Sequence, residues 1–377
     1  MSIDEVLDEA VEAGQVPFVV GVTGNSGGVT YRGAAGMAAP ERPADAETVF
    51  RIFSMTKAIG GLAAAILVDR RELSLDTPIA DVLPAWNDLQ VLEGFDGDTP
   101  RLRPQRTQGT IRHLVTHTGG LEYEFWNNDV PRYMEATGHP SILSGLKVSL
   151  NYPLTFDPGT RWGYGPSIDW LGQAVEAVDG RRIDAFCQEE IFEPLGMDST
   201  AFEPDGLEDR LADVFIRGED GTFGPMELAP PPNPEVYGMG HALYSTPNDY
   251  FRFLRFVLNR GELDGNRLLS EGGFATMTAD QMNGLRFETM VSSSPITDDL
   301  VLPDDTVHSM IATLHMSDIE GKRSAGTQSW AGVCNTHYWI DPAKDLAALI
   351  MTQSLPFVEP PFMKTYDAFE RAVYAAG

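Results

Sequence analysis

Cysteine is nearly missing from this chain: Cys187 and Cys334 are the only two. They cannot form the disulfide framework of a small secreted fold, and neither sits in a Cys/His spacing that binds zinc. Positive charge is also scarce. Only 27 basic residues, five of them lysine, face 55 acidic ones, for a net charge of −28. That balance excludes nucleic acid as a partner and disfavours anionic membrane surfaces. No apolar run approaches the roughly 18 residues of a membrane-spanning helix. The opening MSIDEVLDEAVEAG is acidic and amphipathic, without the basic and apolar regions of a secretory signal, so the expected location is the cytoplasm. What is present is a core: 42% hydrophobic and 10% aromatic residues over 377 positions suit a large enzyme and exclude a disordered chain.

Residues 2–14 read as a short surface helix. In PFVVGVTGNSGGVTYRGAAGMA (17–38), two β-rich runs flank Asn25-Ser26-Gly27-Gly28, which is hairpin chemistry. The same stretch contains G-x-S-x-G, the pattern of a nucleophilic serine in α/β-hydrolases. That motif requires a strand running directly into a helix, whereas a second strand follows here. Ser26 is therefore expected to be a turn residue. RIFSMTKAIGGLAAAILVDRRELSLD (51–76) predicts a mostly buried helix from about Ser54 to Arg70. The pattern then stays mainly helical to residue 240. Its longest loop, MELAPPPNPEVYGMG (226–240), reads as a surface loop or lid, because its prolines suit neither a helix interior nor a central strand. Thr246 and Pro247 open a further amphipathic helix. Strand patterns return in VHSMIATLHM, CNTHYWID and LAALIMTQ, and a closing helix covers about 362–375. Strands at both ends imply one sheet assembled from both termini. The expected organisation is a single unit: a sheet lobe of about 1–60 and 300–377, a helical lobe of about 61–240, and an intervening segment 241–299.

Three stretches carry candidate chemistry. Ser54-Met55-Thr56-Lys57 is S-x-x-K at a helix start, with both side chains on one face. Unpaired N–H groups there favour a developing negative charge. A serine is a poor nucleophile without a base, and a lysine can be that base when burial lowers its pKa. Taken alone, the motif also occurs in ordinary helices. Tyr164 lies in a Gly/Pro turn before an amphipathic helix, placed either to aim a phenol into a cleft or to pack in the core. Trp330-Ala331-Gly332 precedes a strand, and its small residues would let backbone approach a substrate, with the Val333 N–H facing a reacting carbonyl. His113 and His117 have the i,i+4 spacing that can hold a metal on a helix, but no acidic third ligand accompanies them. Tyr123, Phe125 and Trp126, with Trp162, either wall a substrate pocket or belong to the core. Asp169 reads as a support for the tyrosine loop or the helix start, and Cys334 as packed.

Taken in order, these stretches resemble the serine β-lactamase/penicillin-binding-protein superfamily, and within it the family VIII carboxylesterases, which are similar to class C β-lactamases. The resemblance covers nearly the whole chain, through LSLDTPIADVLPAW, IRHLVTHTGGL, PGTRWGYGPSIDWLG, PLGMDST, GMGHALYSTPNDYFRFL and WAGVCNTHYWIDP. It implies a β-lactamase-like α/β fold: an antiparallel sheet built from both termini, flanked by helices, plus a mainly helical lobe. It also implies acylation of Ser54, activation by Lys57 and Tyr164, and an oxyanion hole from the backbone N–H groups of Ser54 and Val333, with Trp330 and Gly332 beside the substrate. Cofactors and metals are not part of that scheme. Two departures bear on specificity. Pro166 stands where class C enzymes have the asparagine of Y-x-N, and Trp330 replaces the lysine of K-T-G. Loss of that fixed cation points to a small-molecule substrate, a neutral ester of short to medium chain length. Acyl transfer, D-peptide or amide hydrolysis, weak β-lactamase activity and an inactive penicillin-binding-like module are the alternatives.

Overall fold

The computed structural model of the protein describes residues 1–376. β-Branched and aromatic content makes Phe18–Asn25 a strand (β1), and it is buried along nearly its whole length, as a strand covered on both faces must be. Gly28–Ala39 (β2) follows through a two-residue turn, with Asn25 opposite Gly28. The sheet is completed by Arg42–Pro43 (β3), Thr306–His308 (β4), Thr313–His315 (β5), Gln328–Gly332 (β6), Thr336–Asp341 (β7) and Leu346–Met351 (β8). The eight strands run in the order β4-β5-β6-β7-β8-β1-β2-β3, each antiparallel to its neighbours. The junction between chain ends is the β1–β8 pair, in which Val20 lies opposite Met351.

Side chains of alternating strand positions feed two separate cores. Val19, Trp339, Ala348 and Ile350 pack under helices Ile3–Glu12 (α1) and Pro360–Ala376 (α5). Val20, Val22, Tyr338 and Ile340 face the main core, with helices Thr56–Asp69 (α2), Ser167–Asp179 (α3) and Pro247–Leu258 (α4). Every residue of α2 from Thr56 to Leu67 is buried, as expected for a helix apolar all round. The Thr246 hydroxyl accepts the Asp249 N–H at 3.1 Å, so α4 starts as its cap and proline foretold.

The stretch before residue 240 is less helical than expected. Val91–Asp96 pairs with Thr99–Arg103 as a hairpin, and Val214–Arg217 pairs with Phe223–Met226 and, in parallel, with Ser354–Leu355. Gly97, at φ +57°, makes the first turn feasible; the helix-like composition around it hid a local alternation. The 226–240 loop also departs from a simple lid. Pro232 is exposed and Pro230, Pro231 and Pro234 are half-buried, but Gly238, Met239 and Gly240 are buried. No helix among the described residues is long and apolar enough to cross a membrane.

Candidate active site

A short 3₁₀ turn, Phe53–Met55, leads into α2 and carries Ser54. Phe53 is buried with φ +40°, a left-handed conformation that is strained for an aromatic residue. The strain is held in place from both sides. Phe50–Arg51 pairs with Tyr244–Ser245, the Gln353 amide bridges the Arg51 backbone, and the Tyr250 hydroxyl donates to the Met55 carbonyl at 2.9 Å.

One turn into α2, Lys57 is 3% exposed. Its Nζ donates to Ser54 Oγ (3.1 Å), to the Tyr123 hydroxyl (3.0 Å) and to the Gly240 carbonyl (2.7 Å). Burial pushes its pKa down to about 7, with Asp169 partly opposing the shift. Tyr164 lies on the other side of the ammonium, its ring centroid 4.8 Å from Nζ. Burial drives the Tyr164 phenol upward, with Ser54 partly opposing. The Tyr123 phenol is pushed well up by burial and then by Asp169. Around neutral pH the site therefore combines a lysine close to its titration point with two protonated phenols.

The end of β6 reaches the same place. A Cβ on Gly332 would lie 2.2 Å from the Ile52 carbonyl oxygen, so only glycine lets the strand close on the Ser54 turn. Ser54 and Val333 both line one cavity of about 310 Å³, with Tyr123, Phe125, Trp126 and Trp162 along its wall. Trp330 lies against His117 (6.2 Å, parallel rings), His308 (5.2 Å) and Tyr164 (5.5 Å), and its indole Nε1 has no hydrogen-bond partner. Burial lowers both histidines, His308 to about 4, so this aromatic wall is uncharged at neutral pH. The cations lining the cavity are Lys322 and Arg323, both bound to Glu370 (3.1 and 2.6 Å).

Other candidates fall outside this cluster. Ser26 sits in the β1–β2 turn, where its N–H and hydroxyl donate to the Asp345 carboxylate at 3.0 and 2.9 Å. His113 and His117 do not share a helix face. The helix ends at Val115, His113 Nδ1 accepts the Thr110 N–H at 3.2 Å, and His117 turns away at φ +56°. Cys334 is buried against Phe53, Val214 and Leu355, and burial raises its thiol to about 12. Pro166 precedes α3 and offers no amide, while Asp169 in the first turn of that helix reaches past the tyrosine loop to the Gly240 N–H at 3.2 Å. Nothing in the sequence marks the Tyr123 hydroxyl or the Gly240 carbonyl as partners of Lys57. The glycine pair in GMGH was the one sequence signal of that close approach.

The profile of the family described as Beta-lactamase matches residues 3–372. The chain belongs to the beta-lactamase family. Among relatives of this beta-lactamase-family chain, the monacolin J acid methylbutanoyltransferase of Aspergillus terreus is 30% identical, covering 99% of this chain and 95% of its own. The lovastatin esterase of Penicillium rubens is 28% identical over 94% of this chain and 92% of its own. A mutant form of simvastatin synthase from Aspergillus terreus superposes with a TM-score of 0.84 at 26% identity, covering 99% of this chain and 94% of that one. The fold is thus the β-lactamase-like one, and the protein is a serine hydrolase or acyltransferase of that superfamily. The resemblance to family VIII carboxylesterases is narrower than these likenesses, which include acyltransferases as well as an esterase.

Proposed function

We propose that the protein is a serine carboxylesterase that cleaves neutral esters of short to medium chain length through an acyl-enzyme on Ser54. The observation that carries this is the 3.1 Å bond between Ser54 Oγ and a desolvated Lys57. In this scheme neutral Lys57 takes the Ser54 proton as Oγ attacks the ester carbonyl. The N–H groups of Ser54 and Val333 stabilise the oxyanion. As the C–O bond breaks, the alcohol departs with a proton from the Tyr164 phenol, which regains one from Lys57. Water then attacks the acyl-enzyme by the same route in reverse. Neutral substrates fit a cavity whose lining cations are already bound to Glu370.

Acyl transfer to an alcohol is the second reading, supported by the relative whose name is a methylbutanoyltransferase. The two share the acyl-enzyme and differ in what resolves it. Turnover of p-nitrophenyl butyrate with increasing alcohol acceptor, with products quantified by chromatography, separates them. Free butyrate as the main product at all acceptor concentrations supports the esterase. Ester product that dominates at low acceptor concentration favours transfer.

A further inference from the structure

The Asp169 carboxylate is buried, 3% exposed, and contacts no lysine or arginine among the described residues, while His241 Nδ1 lies 3.4 Å away. Oδ1 accepts the Gly240 N–H at 3.2 Å, and Oδ2 has no hydrogen-bond partner among the described residues. A buried carboxylate oxygen left unpaired is costly and calls for a reason. The bonded oxygen, Oδ1, leads to the lysine through Gly240. Its N–H points to Asp169 while its C=O accepts from Lys57 Nζ at 2.7 Å, so one loop residue joins an anion to a cation. The loop is shaped for this contact. A Cβ on Gly240 would sit 2.4 Å from Asp169 Oδ2 and 2.9 Å from the Tyr123 hydroxyl, and one on Gly238 would sit 2.7 Å from Oδ1.

We propose that Asp169 is a positioning residue for Lys57, acting through Gly240 to hold the ammonium on Ser54 and to keep the lysine basic enough to take its proton. This rests on the role of Lys57 as base proposed above. A carboxylate bonded to the Gly240 N–H fixes the loop backbone that carries the carbonyl bound by Lys57. Its charge also acts on Lys57 across a low-dielectric interior without forming an ion pair that would lock the lysine protonated. The groups around the pair are Ser54 on the α2 turn, Tyr123 and Tyr164 from their loops, His241 beside Asp169, and the His117 and His308 rings. The phenols are held protonated and the His117 and His308 rings are held neutral by burial, so among these groups the charge opposing desolvation of Lys57 comes from Asp169.

The test is the rate of Ser54 modification by a fluorophosphonate as a function of pH, alongside thermal unfolding of each variant. Wild type is expected to gain rate through a single ionisation near pH 7. Asp169→Asn keeps an acceptor for the Gly240 N–H and removes the charge. Its acid limb should move down by about one pH unit, with a plateau lower by on the order of tenfold as the base weakens. Asp169→Ser removes the carboxylate with a smaller side chain and leaves Gly240 and Tyr123 unchanged. It should move the limb the same way, and it decides the matter if Asp169→Asn does not fold. A limb that superimposes on wild type in the folded variants overturns the proposal, whatever happens to unfolding temperature. A wild-type protein with no limb near pH 7 instead removes Lys57 as the base, and the role of Asp169 falls with it.

Discussion

Lys57 and Arg323 are both buried cations, 3% and 7% exposed, and their surroundings differ in kind. Arg323 lies beneath α5 with Nε 2.6 Å from Glu370 and Nη1 3.1 Å from His315 Nε2. Burial alone would lower its pKa, but Tyr366 and Glu370 outweigh that and raise it. Lys57 contacts two hydroxyls and a carbonyl, makes no ion pair among the described residues, and falls to about 7. A buried cation with a carboxylate in contact stays charged and serves the fold. One whose carboxylate is held one loop residue away sits near its titration point and can move a proton.

The contrast is broken most directly by Lys57→Met. Loss of a general base costs roughly 10²–10⁴-fold, so ester turnover should drop by at least the lower figure in a folded protein. Wild-type-like rates would remove the lysine from the chemistry. Almost as large is the expected preference among substrates. With Lys322 and Arg323 both bound to Glu370 and an indole at Trp330, a penicillin carboxylate meets no free cation lining the cavity among the described residues. p-Nitrophenyl esters should exceed benzylpenicillin and nitrocefin by several orders of magnitude in kcat/KM. Trp330→Lys alone should not reverse that, because Pro166 still lacks an amide. Comparable penicillin turnover would contradict the proposed specificity.

Stability should respond in the opposite sense at the two cations. Glu370→Gln leaves Arg323 buried without its anion and should cost about 3–5 kcal/mol, read as a lower Tm, with kcat/KM in the folded fraction little changed. Lys57→Met should raise stability at neutral pH. The folded pKa of Lys57 is depressed from 10.5 to about 7, so it contributes stability that is complete above pH 10.5 and lost as pH falls towards 7. The Tm advantage of Lys57→Met over wild type should therefore grow from pH 10 to pH 7 and then level off. An advantage independent of pH would mean that Lys57 is not desolvated as described. The smallest effect belongs to Ser26→Ala, which removes one surface hydrogen bond to Asp345 and should leave ester turnover nearly unchanged.

Much of this was legible because it is local. The β1–β2 hairpin, the Thr246 cap, the S-x-x-K face and the return of strands at the C-terminal end all follow from neighbours in sequence. The parts that were not legible depend on chain segments meeting in space. Tyr123 reaches Lys57 across 66 residues and Gly240 across 183, and nothing in either segment names its partner. For Tyr123 the sequence leaves pocket wall and core both open; the residue lines the cavity, and nothing local shows its hydroxyl on the lysine. Asp169 reads as a support for the tyrosine loop or the helix start because both are local uses for a carboxylate, whereas its acceptor role is spent on a loop 71 residues away. The hairpin at 91–103 was hidden by the mainly helical pattern around it, and its alternation over short strands was the available signal.

The central claim, that Ser54 is the nucleophile and Lys57 its base, is tested most directly by locating a covalent adduct. Wild type, Ser54→Ala, Lys57→Met and Ser26→Ala would be treated with the same fluorophosphonate at pH 8 and digested for mass spectrometry. The expected result is one adduct on Ser54 in wild type and Ser26→Ala, none in Ser54→Ala, and labelling slowed by at least about 10² in Lys57→Met. An adduct on Ser26 or any other residue, or labelling of Ser54 at the wild-type rate without Lys57, would contradict it.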